Sequence, residues 1–467
     1  MSDNHGRSTT SDVDALPTSD EIKERLTGWM DRYCVPGAAV GWMCDGRTEI
    51  AATGTVNVET GANVIPDTLF QVGSITKAFT ATQILQLQEK GLVSLDAPAV
   101  NYLPELRFAD DALTRQILVR HLLSHTSGVD GELGAGYGRD DDCIARYVDA
   151  CRSLGFMYSP GTAMSYSNTA FIVAGRIVEQ LTKTTWDDAL KSDVLHPLGL
   201  THSVTLPEEA LRFSTAAGHT VAPDRTISLT PVWHMERCTG PAHGLCATIP
   251  DLLSLAAMRM QGGVAPNGNR LLSQASIDQM QQVQLEQPPL PGDTQHRMGL
   301  GCALSDWGGH RVIAMNGGAI GQVSALRLLP ARRFAVAVLT NSATGGLLTD
   351  RVLRWLFERI GVQPPAPVEL PETPADIEID KYVGNYDCFN GRVSIEANDG
   401  KLFVRYIEAS APSDSDDWAP LLLVPMSETV FIQQDPYLLT CTPVVFSEFE
   451  KGRPRYVWWG HMARRVD

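Results

Sequence analysis

No stretch of this chain approaches the roughly 20 consecutive apolar residues that a membrane-spanning helix needs, which excludes an integral helical membrane protein. Positive charge is scarce. Lys and Arg number 38 against 54 Asp and Glu, a formal net charge of -16. Neither a phosphate backbone nor an acidic lipid surface attracts such a protein, so no nucleic-acid or membrane partner is expected. The opening residues, Met1 through Asp20, carry no apolar segment of the kind a secretory signal requires. Nine cysteines include no C-x-x-C pair, and Cys143/Cys151 and Cys238/Cys246 are eight apart, which fits no common zinc spacing. The odd count and the missing signal predict reduced thiols and a cytoplasmic location. No H-E-x-x-H and no G-x-S-x-G is present, against a zinc peptidase and an α/β-hydrolase. The glycine-rich segment from Gly131 to Gly138 lacks G-x-G-x-x-G spacing and follows no strand pattern, so it reads as a flexible loop rather than a nucleotide cradle. Asp140-Asp141-Asp142 reads as a solvated loop. No metal and no cofactor is expected.

What remains is an ordinary globular composition, 43% hydrophobic and 20% charged, over 467 residues, enough for a large catalytic unit and something more. Residues 1–18 are polar and predict a flexible tail. Ile22, Leu26, Trp29 and Met30 follow a helical period. Ala38 to Met43 and Thr48 to Ala52 read as a hairpin turning at Asp45-Gly46. Phe156 to Lys183 passes through Ser159-Pro160-Gly161 and Tyr166-Ser167-Asn168 into a helix. Pro241-Ala242-His243-Gly244-Leu245 precedes another, with Asp251 as its cap. Three strands are predicted at Arg311–Met315, Val323–Leu329 and Phe334–Thr340, the first two flanking a glycine turn at Asn316-Gly317-Gly318. Leu347 to Ile360 closes this part. The boundaries are a catalytic domain over 19–362, a stiff proline-rich linker over 363–375, and a β-rich module over 376–467.

The chemistry centres on Phe70-Gln71-Val72-Gly73-Ser74-Ile75-Thr76-Lys77. Apolar or small residues at Ile75, Ala78, Phe79, Thr82 and Leu85 share one helical face, and Gly91 is placed to end the helix. Ser74 then lies in the first turn, where free backbone N–H groups and the helix dipole favour negative charge. Lys77, three residues on, projects beside it. A serine hydroxyl is a weak nucleophile until a base takes its proton, and a lysine serves when its own pKa is lowered. Tyr166-Ser167-Asn168 adds a phenol and an amide. Asn316-Gly317-Gly318 offers a backbone N–H to a reacting carbonyl.

In this order the three stretches resemble the serine β-lactamase and penicillin-binding-protein superfamily, especially its class C-like branch of esterases and D-amino-acid peptidases. Gly91-Leu92-Val93-Ser94-Leu95-Asp96 and His121-Leu122-Leu123-Ser124-His125-Thr126-Ser127-Gly128 agree with it. The resemblance implies an α/β (α+β) fold, an antiparallel sheet flanked by helices with an all-helical subdomain. The C-terminal region, with Tyr382-Val383-Gly384-Asn385-Tyr386, looks like the lipocalin-like barrels appended to some members. Ser74 would be the nucleophile, Lys77 and Tyr166 its proton carriers, and the N–H groups of Ser74 and Gly318 the oxyanion hole. Asn168, Met315, Asn316, Gly317 and, at the rim, His243 would face the substrate. His125 is expected to be a buried structural histidine.

One place departs from the family pattern. Where Lys or His is usual, followed by Thr or a small residue and Gly, this chain has Met315-Asn316-Gly317. A thioether cannot grip a carboxylate, so β-lactam and D-Ala-D-Ala recognition is not expected. The leading expectation is a hydrolase of an ester or peptide-like amide of a small neutral substrate. The alternatives are an acyltransferase or peptide-cyclising thioesterase of a natural-product pathway, and a homologue that binds or senses without turnover.

Overall fold

The computed structural model describes residues 10–134, 136–234, 236–287, 297–408, 420–434 and 441–467. Alternating apolar residues build an eight-stranded antiparallel sheet. Its order is Arg47–Gly54, Gly37–Cys44, Phe334–Thr340, Gln322–Leu329, His310–Ala319, Ala303–Trp307, Arg297–Met298 and Leu285–Glu286. The predicted hairpin is present and turns through Asp45 and Gly46, both at positive φ. Every residue of Phe334–Thr340 is buried, because both faces of this central strand are covered.

On one face lie the helices Ser19–Tyr33 and Gly345–Arg359, whose Trp29 and Trp355 meet edge to face at 5.5 Å. The other face carries Ile249–Met260 and, beyond it, the helical subdomain around Thr76–Glu89 and Asn168–Thr182. Residues 10–18, expected to be tail, are built into the first face. Thr10–Ala15 is helical, Asp12 pairs with Arg332, Leu16 is buried, and the Pro17 carbonyl accepts the Trp42 indole N–H at 2.9 Å. Trp42 needed a partner for that N–H, and the polar tail supplies it.

Two more expectations are corrected here. Asn316-Gly317-Gly318 is not a turn but the continuation of the strand His310–Ala319, and the chain reverses after it through Ile320 and Gly321. The cap of Ile249–Met260 is Thr248, with Asp251 at the third helical position completing a capping box.

The segment 363–375 contains neither helix nor strand. Arg354 holds it at the Pro365 carbonyl, and Ala375 N–H bonds the Pro425 carbonyl. Beyond it eight strands close into a barrel around Tyr386, Phe431, Phe446 and Val457. Its first and last strands, Gly384–Cys388 and His461–Arg465, pair with each other and close the ring. The barrel docks on the catalytic domain, with Arg464 on the Met157 carbonyl at 2.6 Å and the Tyr456 hydroxyl on the same oxygen at 3.4 Å.

Candidate active site

Ser74 sits in a single 3-10 turn, Gly73–Ile75, that feeds directly into the helix Thr76–Glu89. Between Thr68 and Leu85 it is the one residue that is not buried. The helix therefore has no solvent face at this end, where an amphipathic one was expected. The turn is fixed by Thr76, whose hydroxyl donates to the Gly73 carbonyl at 2.6 Å and accepts the Leu245 N–H at 3.1 Å.

The turn touches the strand His310–Ala319 backbone to backbone. A Cβ on Gly73 would lie 2.4 Å from the Gly318 carbonyl oxygen, and one on Gly317 would lie 1.9 Å from that of Val72. Only glycine allows this approach. Pairing with Ala303–Trp307 stops at Ala314, so among the described strands Met315 to Ala319 have a neighbour on one side only. Their open edge faces Ser74 across a cleft of about 340 Å³.

Lys77 Nζ lies 2.9 Å from Ser74 Oγ, 2.5 Å from Asn168 Oδ1 and 2.9 Å from the Ala242 carbonyl oxygen. Burial lowers its pKa to about 7, against a smaller upward pull from Glu132. A neutral amine has two N–H bonds and one lone pair. The two carbonyl oxygens take the N–H bonds, which leaves the lone pair for the Ser74 hydroxyl. Tyr166 Oη reaches the same Ser74 Oγ at 2.5 Å. Burial raises the phenol well above its ordinary pKa, so Tyr166 remains a proton donor at neutral pH.

His125 braces that ring. Its imidazole stacks on Tyr166 at 4.3 Å, and Nδ1 accepts the Ser167 N–H at 3.1 Å. Burial, and then Lys77, push its pKa down to about 3, so it is neutral. Asn168 opens the helix Asn168–Thr182 behind the Ser167 cap. Its orientation is set by Glu132, which accepts the Asn168 backbone N–H at 3.0 Å and the side-chain Nδ2–H at 2.9 Å.

Glu132 was not among the sequence-derived site residues, and the segment carrying it was expected to be a free loop. Instead it is clamped to the barrel. Glu132 N–H donates to Asn390 Oδ1 at 2.8 Å, and Asn390 Nδ2 returns a bond to the Glu132 carbonyl at 2.7 Å. No sequence signal marks this pair.

Ser74, Lys77, Tyr166, Met315, Asn316, Gly317 and Gly318 all line the cleft. Asn168 stands behind Lys77. His243 is not part of the lining. It is buried, its Nδ1 has no partner among the described residues, and burial followed by Lys77 lowers its pKa to about 3. Its short helix contributes through the backbone instead, since the Ala242 carbonyl holds Lys77. Arg311 and Arg327 do not line the cleft either. Among the described residues no group of three or more His, Cys, Asp or Glu side chains could hold a metal ion. None of the described helices is long and apolar enough to cross a membrane.

A helix-borne serine facing an open strand edge, with the fold around it, defines a β-lactamase-fold serine hydrolase. The chain belongs to the beta-lactamase family, whose model matches residues 22–357. It is 38% identical over 377 residues to Penicillin-binding protein 4 of Amycolatopsis lactamdurans, across 79% of this chain and 97% of that protein. It is 33% identical over 177 residues to Esterase EstB of Burkholderia gladioli, across 35% of this chain and 45% of the esterase. Among solved structures, SurE is similar with a TM-score of 0.77 at 23% identity, covering 96% of this chain and 99% of SurE. D-amino acid amidase from Ochrobactrum anthropi SV3 gives 0.61 at 23% identity, covering 73% and 98%. At these identities the two structures speak for the fold alone. The likeness to SurE runs through the C-terminal barrel, while the amidase matches a smaller share of the chain.

Proposed function

We propose that this protein hydrolyses an ester or a peptide-like amide of a small neutral substrate through an acyl-enzyme on Ser74. The observation that carries the proposal is Lys77, a buried amine held by the Asn168 and Ala242 carbonyl oxygens with its Nζ 2.9 Å from Ser74 Oγ. Lys77 takes the hydroxyl proton as Oγ attacks the substrate carbonyl. The carbonyl oxygen becomes an oxyanion held by the backbone N–H groups of Ser74 and Gly318. Losing one such donor costs about 10²–10³ in rate. The Tyr166 phenol, between Ser74 and the leaving group, delivers a proton to the departing oxygen or nitrogen and is recharged from Lys77. Water, entering by the same route, releases the acyl group.

The neutral substrate is supported by the lining, where Met315 stands in place of a cation and, among the described residues, Lys77 is the one basic side chain apart from the neutral His125. The open edge from Met315 to Ala319 suits an extended, peptide-like acyl chain, which can add to it as a strand. An amine in place of water as acceptor, the chemistry of an acyltransferase or peptide-cyclising thioesterase, uses the same residues. A cytoplasmic location belongs to the same proposal and is supported by nine free thiols.

The test combines a fluorophosphonate probe with short-chain p-nitrophenyl esters, with and without added amines. Labelling and ester turnover that both vanish in Ser74→Ala are expected. Acceleration by amines moves the reading to the transferase. Labelling that persists in Ser74→Ala, or no turnover of any ester despite labelling, overturns it.

A further inference from the structure

Behind the neutral wall of the cleft stands a cation with no anionic partner among the described residues. Arg259, on the helix Ile249–Met260, is 2% exposed. Its Nη1 donates to Met315 Sδ at 3.6 Å and its Nη2 to Cys302 Sγ at 3.4 Å, while Nε has no partner among the described residues. Both sulfurs belong to side chains that line the cleft. Neutral sulfur is a weak acceptor, and a buried charge is costly unless it is paired. Among the described residues the internal bonding of the fold therefore leaves this guanidinium's charge uncompensated, one side chain away from the cleft.

Arg327 gives the contrast. It is also buried, but its Nη1 donates to the backbone carbonyls of Met315 and Leu326, and Asp350 acts on it electrostatically. Among the described residues Arg259 has no such backbone or carboxylate partner. The segment that carries Cys302 packs on the helix Thr76–Glu89. Gly301, next to Cys302, packs so tightly there that an added Cβ would lie 2.9 Å from the Lys77 carbonyl oxygen.

A neutral substrate brings no negative charge into the cleft. Negative charge appears only when the attacked carbonyl becomes an oxyanion, and in a poorly hydrated site a nearby fixed cation acts on it far more strongly than in water. We infer that Arg259 is an electrostatic positioning residue whose buried charge, acting across Met315 and Cys302, stabilises the oxyanion formed when Ser74 attacks. The inference rests on the acyl-enzyme reading of Ser74. It assigns the positive charge that Met315 cannot supply to a helix behind the strand.

The test uses the full chain with Arg259→Gln and Arg259→Lys, p-nitrophenyl butyrate as substrate and phenylboronic acid as probe. The boronic acid gains a bond from Ser74 Oγ, the serine proton passes to Lys77, and boron becomes a tetrahedral anion. In Arg259→Gln, kcat should fall at least about tenfold with KM within about twofold, the signature of an interaction made only in the transition state, and boronate affinity should fall in parallel. Arg259→Lys breaks both sulfur contacts and carries the charge only while its buried ammonium stays protonated, so its kcat relative to the parent should recover as pH falls toward 7, which that of Arg259→Gln should not. A folded Arg259→Gln with unchanged kcat overturns the inference. So does an Arg259→Lys that loses as much as the Gln variant even at the lower pH or fails to fold, since packing would then be the residue's role. If Arg259→Gln alone is unfolded by thermal melting, the Lys variant decides. Ser74→Ala separates the parent reading, because fluorophosphonate labelling of that variant sinks the acyl-enzyme whatever Arg259 does.

Discussion

Glu132 grips Asn168 by both its backbone and its side-chain N–H, at 3.0 and 2.9 Å, and so leaves Asn168 Oδ1 facing Lys77. The carboxylate has two effects on Lys77. It orients one of the two acceptors that hold the amine, and its charge opposes the drop in the Lys77 pKa that burial causes. Asn390 in turn holds the Glu132 backbone, so a chain of hydrogen bonds runs from the barrel to the helix Thr76–Glu89.

The pH profile follows from Lys77. A base must be unprotonated to act, so kcat/KM should rise with pH through about 7, where burial places this amine. Glu132→Gln removes the charge that favours the ammonium form and sets an amide donor against Asn168. The acid limb should therefore shift to lower pH, while kcat falls by about 10–100-fold from misalignment of the amine. Stopped-flow acylation across pH 5–9 checks both, and a limb that stays in place would show that Lys77 is not the titrating base.

Asn390→Ala deletes both clamps on Glu132, each worth about 0.5–1.5 kcal/mol net. Ester turnover should drop with little change in the thermal unfolding of the catalytic domain. Unchanged turnover would mean that the loop carrying Glu132 keeps its place without the barrel.

At Gly317 the approach of two backbones leaves no room for a side chain. Gly317→Ala places a methyl 1.9 Å from the Val72 oxygen and 2.3 Å from Ser324 Oγ, which must push the strand from the nucleophile turn. Fluorophosphonate labelling of Ser74 should slow by about 10²-fold or more, the scale of a displaced oxyanion donor. Labelling at the normal rate would place the oxyanion donors elsewhere.

With Met315 where a cation is usual, nitrocefin hydrolysis should be slow beside turnover of neutral esters. Restoring a cation by Met315→Lys is opposed by Arg259, whose Nη1 already lies 3.6 Å from the sulfur. Two like charges about 4 Å apart repel by up to about 4 kcal/mol at an effective dielectric of 20. The variant should melt at a lower temperature than the parent, as read by calorimetry. An unaltered melting temperature would place the new ammonium away from the guanidinium.

Local sequence determined the setting of Ser74. Ser74 and Lys77 are three residues apart on one helix, and that spacing alone brings Nζ to Oγ. Period-two alternation likewise located most of the strands, and the proline-rich run marked where helical periodicity ends. The glycines after Met315 misled, because a turn and a close backbone approach ask for the same residue, and only the neighbouring Val72 shows which one applies. His243 misled for a related reason. A histidine beside a glycine reads as chemistry, whereas the fold uses the carbonyl of Ala242, which any residue could supply. Tertiary structure alone decided the rest. Asn168 meets Glu132 across 36 residues, Lys77 meets Ala242 across 165, and Glu132 meets Asn390 across 258. Such pairs carry no local period, since hydrogen bonds between distant segments form only where packing has already brought the chain together. Arg259 belongs with them. Its place on a helix was legible, but the absence of a carboxylate beside it, among the described residues, becomes visible only once the core has closed around it.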